Sequence, residues 1–137
     1  MTRRRDRVSQ WVEKAENDLR NAEHTLELEE RCPLDTVCFH AHQCVEKCLK
    51  ALLLHREAAF PRTHDLVILS NLAAKKAGLA LPDGAVQRLN RYSIEARHPG
   101  DWPPITRKEA QRAVAFAQDI RARVRALLPD SLGEFSS

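Results

Sequence analysis

Pro33-Leu34-Asp35-Thr36-Val37-Cys38-Phe39-His40-Ala41-His42-Gln43-Cys44-Val45-Glu46-Lys47-Cys48-Leu49-Lys50-Ala51-Leu52-Leu53-Leu54-His55-Arg56 is the stretch whose reading decides the fold. Leu34, Val37, Cys38, Ala41, Cys44, Val45, Cys48, Leu49 and Leu52 recur at three- and four-residue intervals, the spacing of one helical face. Pro33 suits the first position of that helix, which needs no backbone N–H donor there, and the pattern holds to about Arg56. The apolar arc is too wide for a helix lying on a surface, so this segment is expected at the centre of a bundle. Glu46 and Lys50 fall on its polar side at i and i+4, in the favourable order of charges, and read as a surface ion pair with Lys47 near the edge.

Working outward, the same periodicity returns. Val8, Trp11, Val12, Ala15, Leu19, Ala22 and Leu26 give a first long helix ending near Glu30. Leu66, Leu69, Leu72 and Ala73 mark a shorter one that stops at Gly78, a good left-handed cap. His64-Asp65 is expected to cap its start. Pro82-Asp83-Gly84 opens a fourth helix carrying Val86, Leu89, Ser93 and Ala96 inward and ending at Pro99, because a residue before proline is pushed away from helical dihedrals. After a loop around Trp102, Thr106-Arg107-Lys108-Glu109 reads as a capping box. It starts a last helix with Ala110, Ala113, Val114, Ala117, Ile120, Val124, Leu127 and Leu128 on its stripe. The expected fold class is therefore all-α, an up-and-down bundle of about five helices, in a single domain over residues 1–129 with a flexible tail at 130–137.

Composition agrees. The chain of 137 residues is long enough to bury a core without disulfides, and its few glycines and aromatics, with 30% charged residues, suit helices rather than strands. No apolar run is long enough to span a bilayer and no secretory signal is evident, so a cytoplasmic location is expected. Cys32, Cys38, Cys44 and Cys48 lie on or beside one helix and read as reduced, packed thiols. His40, Cys44 and Cys48 stand four apart, but two of the three lie within the apolar arc and no matching ligand pair occurs elsewhere, so no metal and no cofactor is expected. The net charge of +3, with basic clusters at Arg3-Arg4-Arg5, Arg88 to Arg97 and Arg107 to Arg125, permits an anionic partner. The first of these clusters is expected to be a solvated arm.

Leu89-Asn90-Arg91-Tyr92-Ser93-Ile94-Glu95-Ala96-Arg97-His98-Pro99 is the most chemical segment. Arg91 and His98 are two helical turns apart and, on a continuous helix, share an outward face with Glu95. One reading is a solvated face with an Arg91–Glu95 pair. The other is a site in which His98 moves protons on a ribose 2′-hydroxyl or a leaving 5′-oxygen while Arg91 offsets charge on phosphoryl oxygens.

Several of these segments together resemble the HEPN domain family: Trp11 with Ala15-Glu16-Asn17-Asp18-Leu19, the Phe39-His40-Ala41-x-Gln43-x-x-Glu46-Lys47-x-Leu49-Lys50-Ala51 pattern, Thr63-His64-Asp65-Leu66, and Tyr92 through Arg97-His98-Pro99. The resemblance implies a helical bundle that forms a homodimer, often encoded beside a nucleotidyltransferase as a toxin and antitoxin pair. It also implies a metal-independent endoribonuclease site, shared across the dimer, with Arg91 and His98 as catalytic residues. Lys47, Lys50, Tyr92 and Arg97 are the residues expected to contact RNA or nucleotide. Tyr92 stands where active members typically have a small polar residue or His, and His98 where the most similar subgroup commonly has Tyr. The alternative implied role is a non-catalytic module that binds a nucleotide or a nucleotidyltransferase partner.

Overall fold

The computed structural model describes residues 2–93 and 103–130, and they form five helices with no strand among them: α1 (Thr2–Leu26), α2 (Leu34–His55), α3 (Leu66–Ala77), α4 (Asp83–Asn90) and α5 (Arg107–Leu127). The up-and-down bundle is organised as the wide apolar arc requires. Helix α2 packs against each of the other four, most extensively against α1 and then α5. Val37, Cys38, Ala41, Cys44, Val45, Leu49, Leu52 and Leu53 are all buried in the core, where they meet Val8, Val12 and Leu19 from α1 and Val114, Ala117, Ile120 and Val124 from α5. All four cysteines are free thiols, and three of them are core residues.

Helix ends follow local chemistry in α3 and α5. Asp65 accepts from Val67 N at 2.9 Å at the start of α3. At its end Gly78 sits at φ +68°, and Leu79 N donates back to Ala73 O. Glycine adopts that left-handed conformation without the Cβ penalty. Thr106 Oγ1 accepts from Glu109 N at the start of α5, which is half of the expected capping box. The Glu109 carboxylate is engaged elsewhere, as described below.

Four expectations are corrected. Helix α1 ends at Leu26, earlier than the periodicity suggests, and Arg107 from α5 donates to the carbonyls of Leu26, Leu28 and Glu29. A guanidinium on terminal carbonyls satisfies acceptors that a further turn would have used. Arg3-Arg4-Arg5 is not an arm but the opening of α1, and Arg4 pairs with Glu57 at 3.1 Å. Helix α4 stops at Asn90 rather than at Pro99, with residues 91–93 in turns; the remainder of its expected length, with the shared face of Glu95 and His98, lies outside the described residues. Finally, Glu46 and Lys50 pair as expected, at 3.0 Å, yet they are buried rather than on the surface, at 2% and 6% exposure. Trp11 of α1 lies over the Lys50 ammonium at 5.4 Å, and His64, ahead of α3, covers Glu46 from the other side. No helix is long and apolar enough to cross a membrane among the described residues.

Candidate functional site

The end of α4 is fixed by two anchors, one on each side of Arg91. On the first side, Asn90 bridges α4 and α3. Its Oδ1 accepts from Leu66 N at 2.9 Å and its Nδ2 donates to Asp65 Oδ1 at 3.0 Å. The same Asp65 oxygen caps α3, so one carboxylate organises a helix start and a helix end together. On the second side Tyr92, 6% exposed, donates its phenol O–H to Glu109 Oε2 in a short hydrogen bond. Burial, followed by that bond to a carboxylate, raises the Tyr92 pKa well above the ordinary phenol value and keeps the ring neutral. Arg91, half-buried, is the C-cap of α4 at φ −67° and ψ −15°. Tyr92 N and Ser93 N donate to Leu89 O and Asn90 O, tightening the chain through the turn. Arg91 thus stands between two residues whose side chains are each hydrogen-bonded to another part of the bundle.

Beside this segment lies a groove between α4 and α5 of about 250 Å³, lined by Arg88, Leu89, Tyr92, Glu109, Arg112 and Phe116 among others. Ala85 and Phe116, both partly exposed, supply apolar surface, whereas Arg88 and Arg112 are exposed. The Arg88 guanidinium folds back over Gly84, where an added Cβ would come within 3.4 Å of it.

A second polar constellation lies behind the anchors, along α2. Glu46 receives Lys50 on one oxygen and His64 Nδ1 on the other, at 3.0 and 2.9 Å. His42 is fully buried beside it, with Nε2 3.1 Å from His64 O and Nδ1 3.2 Å from the Gln43 side-chain amide. Asp18 of α1 takes His40 and Lys47, at 2.8 and 2.6 Å. Glu16 takes Arg121 through two bonds, with Arg125 nearby at 3.6 Å. The polar half of the α2 pattern thus ties α1, α2 and the α3 entry together.

Desolvation dominates at His42 and lowers its pKa from the ordinary 6.5, so the neutral ring is the folded form. An unfolded chain then binds a proton that the folded chain resists. The stability this group contributes is complete above pH 6.5 and is lost as pH falls from there through the lower folded value. Urea midpoints should accordingly drop between about pH 7 and about pH 5, and His42→Gln should flatten that slope. An unchanged slope would mean that His42 takes up its proton without cost.

Of the residues expected to act, Arg91 and Tyr92 are placed together at the α4 end, and Arg97 and His98 lie outside the described residues. Lys47 and Lys50 are engaged by Asp18 and Glu46 and stand on α2. His40 turns to Asp18 rather than towards Cys44 and Cys48. Asn90 and Glu109 join the site without having been expected there. Asn90 carries no sequence signal beyond adjacency to Arg91, and Glu109 reads locally as a cap.

The comparisons with known proteins agree with this architecture. A family model described as HEPN domain matches residues 8–127. No curated protein matches. Among solved structures, the chain is similar to TT1696 from Thermus thermophilus, with 33% identity and a TM-score of 0.71 over 93% of this chain and 100% of that one. It also shares its fold with ST0689, an archaeal HEPN homologue, at 22% identity and a TM-score of 0.61, covering 87% of this chain and 95% of that one. A match that runs from the start of the α1 stripe to the end of α5 takes in every helix of the bundle, and the chain belongs to the HEPN domain family.

Proposed function

We propose that this HEPN protein is a metal-independent endoribonuclease, of the toxin type, that acts as a homodimer. The observation that supports this reading most is the double anchoring of Arg91, by Asn90 on Asp65 and Leu66 and by Tyr92 on Glu109. A backbone held on both sides narrows the positions the half-buried Arg91 guanidinium can reach, and a guanidinium that must meet a phosphoryl oxygen gains from such pre-organisation. In this mechanism the ribose 2′-oxygen attacks the adjacent phosphorus and the 5′-oxygen leaves. His98 moves the proton, and Arg91 balances the charge that builds on the non-bridging oxygens. Pairing of two copies brings two such sets to one cleft.

Purified protein should fragment mixed RNA in the presence of a chelator. Arg91→Ala and His98→Ala should each lower the rate by about 10²-fold or more while leaving the helical circular dichroism unchanged. Intact RNA with the wild-type protein overturns the reading and selects a non-catalytic module that binds a nucleotide or a nucleotidyltransferase partner.

A further inference from the structure

Resting on the ribonuclease reading, we infer that the α4–α5 groove is a one-nucleotide subsite, seating a base against Phe116 and its phosphate between Arg88 and Arg112. The cations expected to hold RNA on α2 are already neutralised, because Lys47 lies 2.6 Å from Asp18 and Lys50 lies 3.0 Å from Glu46. Arg88 and Arg112 are different. Both are exposed, both line the groove, and neither has a carboxylate partner among the described residues. One lies on α4 and the other on α5, so the groove between the two helices has a guanidinium from each.

The shape and charge of the groove orient the ligand. At about 250 Å³ it is smaller than the ~300–1,000 Å³ of pockets for drug-sized ligands, so it suits one flat ring rather than a folded dinucleotide. Phe116, partly exposed, offers a base the aromatic surface on which single-stranded nucleic acids stack, with Ala85 beside it in the lining. The Glu109 carboxylate in the wall repels a phosphate from the interior, so the anion stays with the two guanidinium groups and the base goes inward. Tyr92, neutral and fixed on Glu109, keeps that wall in place. Tyr92, which lines the groove, is the next residue in the chain after Arg91.

The test uses a fluorescent single-stranded 2′-O-methyl RNA hexamer, which binds but lacks the hydroxyl needed for cleavage, and reads its affinity by anisotropy. Arg88→Ala and Arg112→Ala should each weaken binding about tenfold, and removing both guanidinium groups from their one phosphate should reduce the salt slope by about 0.7. Phe116→Leu should weaken binding with the salt slope unchanged. A wild-type protein that does not bind the hexamer, or variants that bind it equally well, overturns the subsite. So does a change of solution mass in Arg112→Glu at unchanged affinity, which would assign the groove to a second copy of the chain. The two readings fail separately. Hexamer binding that depends on Arg88, in a protein inert towards ordinary RNA, removes the ribonuclease and keeps the subsite. Cleavage that persists with variant affinities unchanged does the reverse.

Discussion

Glu46→Ala should lower the unfolding free energy by about 3–5 kcal/mol in urea denaturation, a large share of what a domain of this size has. The carboxylate is 2% exposed and holds Lys50 on one oxygen and His64 on the other. Its removal leaves the Lys50 ammonium, itself only 6% exposed, without a counter-charge and under the face of Trp11. An unpaired buried charge costs far more than the intact pair contributed. The same reasoning says that Glu46→Leu combined with Lys50→Met should recover most of the loss, since no charge is then left to bury. A loss below about 1 kcal/mol for Glu46→Ala would place this pair with exposed ones, whose worth is in that range.

Leu52→Ala should cost about 2–5 kcal/mol, the second large effect. Leu52 lies on the apolar arc of α2 at 0% exposure, and α2 is the helix that packs against all the others. A cavity there is surrounded by several elements that cannot all close on it, so little of the missing dispersion energy is recovered. Ile68→Ala in α3 supplies the contrast. Its side chain is 41% exposed, and truncation should cost well under 1 kcal/mol by the same denaturation measurement. Equal losses at the two positions would mean that α2 is not the centre of the core.

These two positions also show what is legible in the sequence. Leu52 is readable because burial repeats every three or four residues, and that repetition survives whatever the neighbouring helices do. The caps at Asp65, Gly78 and Thr106 are readable for a related reason, since each acts within a few residues of itself. Glu46 and Lys50 are not readable as buried. Their spacing announces the pair, but the cover comes from Trp11 and His64, which are remote in sequence and have no local signature. The end of α1 depends on Arg107 in the same way, and the end of α4 coincides with Asn90 finding Asp65 and Leu66.

The candidate site divides along the same line. Arg91 and Tyr92 stand out by type and by the family pattern, so they are visible in one dimension. What holds them is not visible. Asn90 and Glu109 become anchors only when α4 lies against α3 and α5. Lys47 and Lys50 look available on a helical wheel because the wheel omits Asp18 and the burial of Glu46. Arg88 and Arg112 gain meaning only from the groove between their helices. Charge placed by tertiary packing, rather than by spacing, is what separates the internal lysines from the outward arginines.

End-group analysis of RNA incubated with the wild-type protein in a chelator tests the central claim most directly. A 2′-oxygen attack with loss of the 5′-oxygen predicts fragments with 2′,3′-cyclic phosphate and 5′-hydroxyl ends, absent with His98→Ala. RNA that stays intact, or fragments bearing 5′-phosphates, would contradict it.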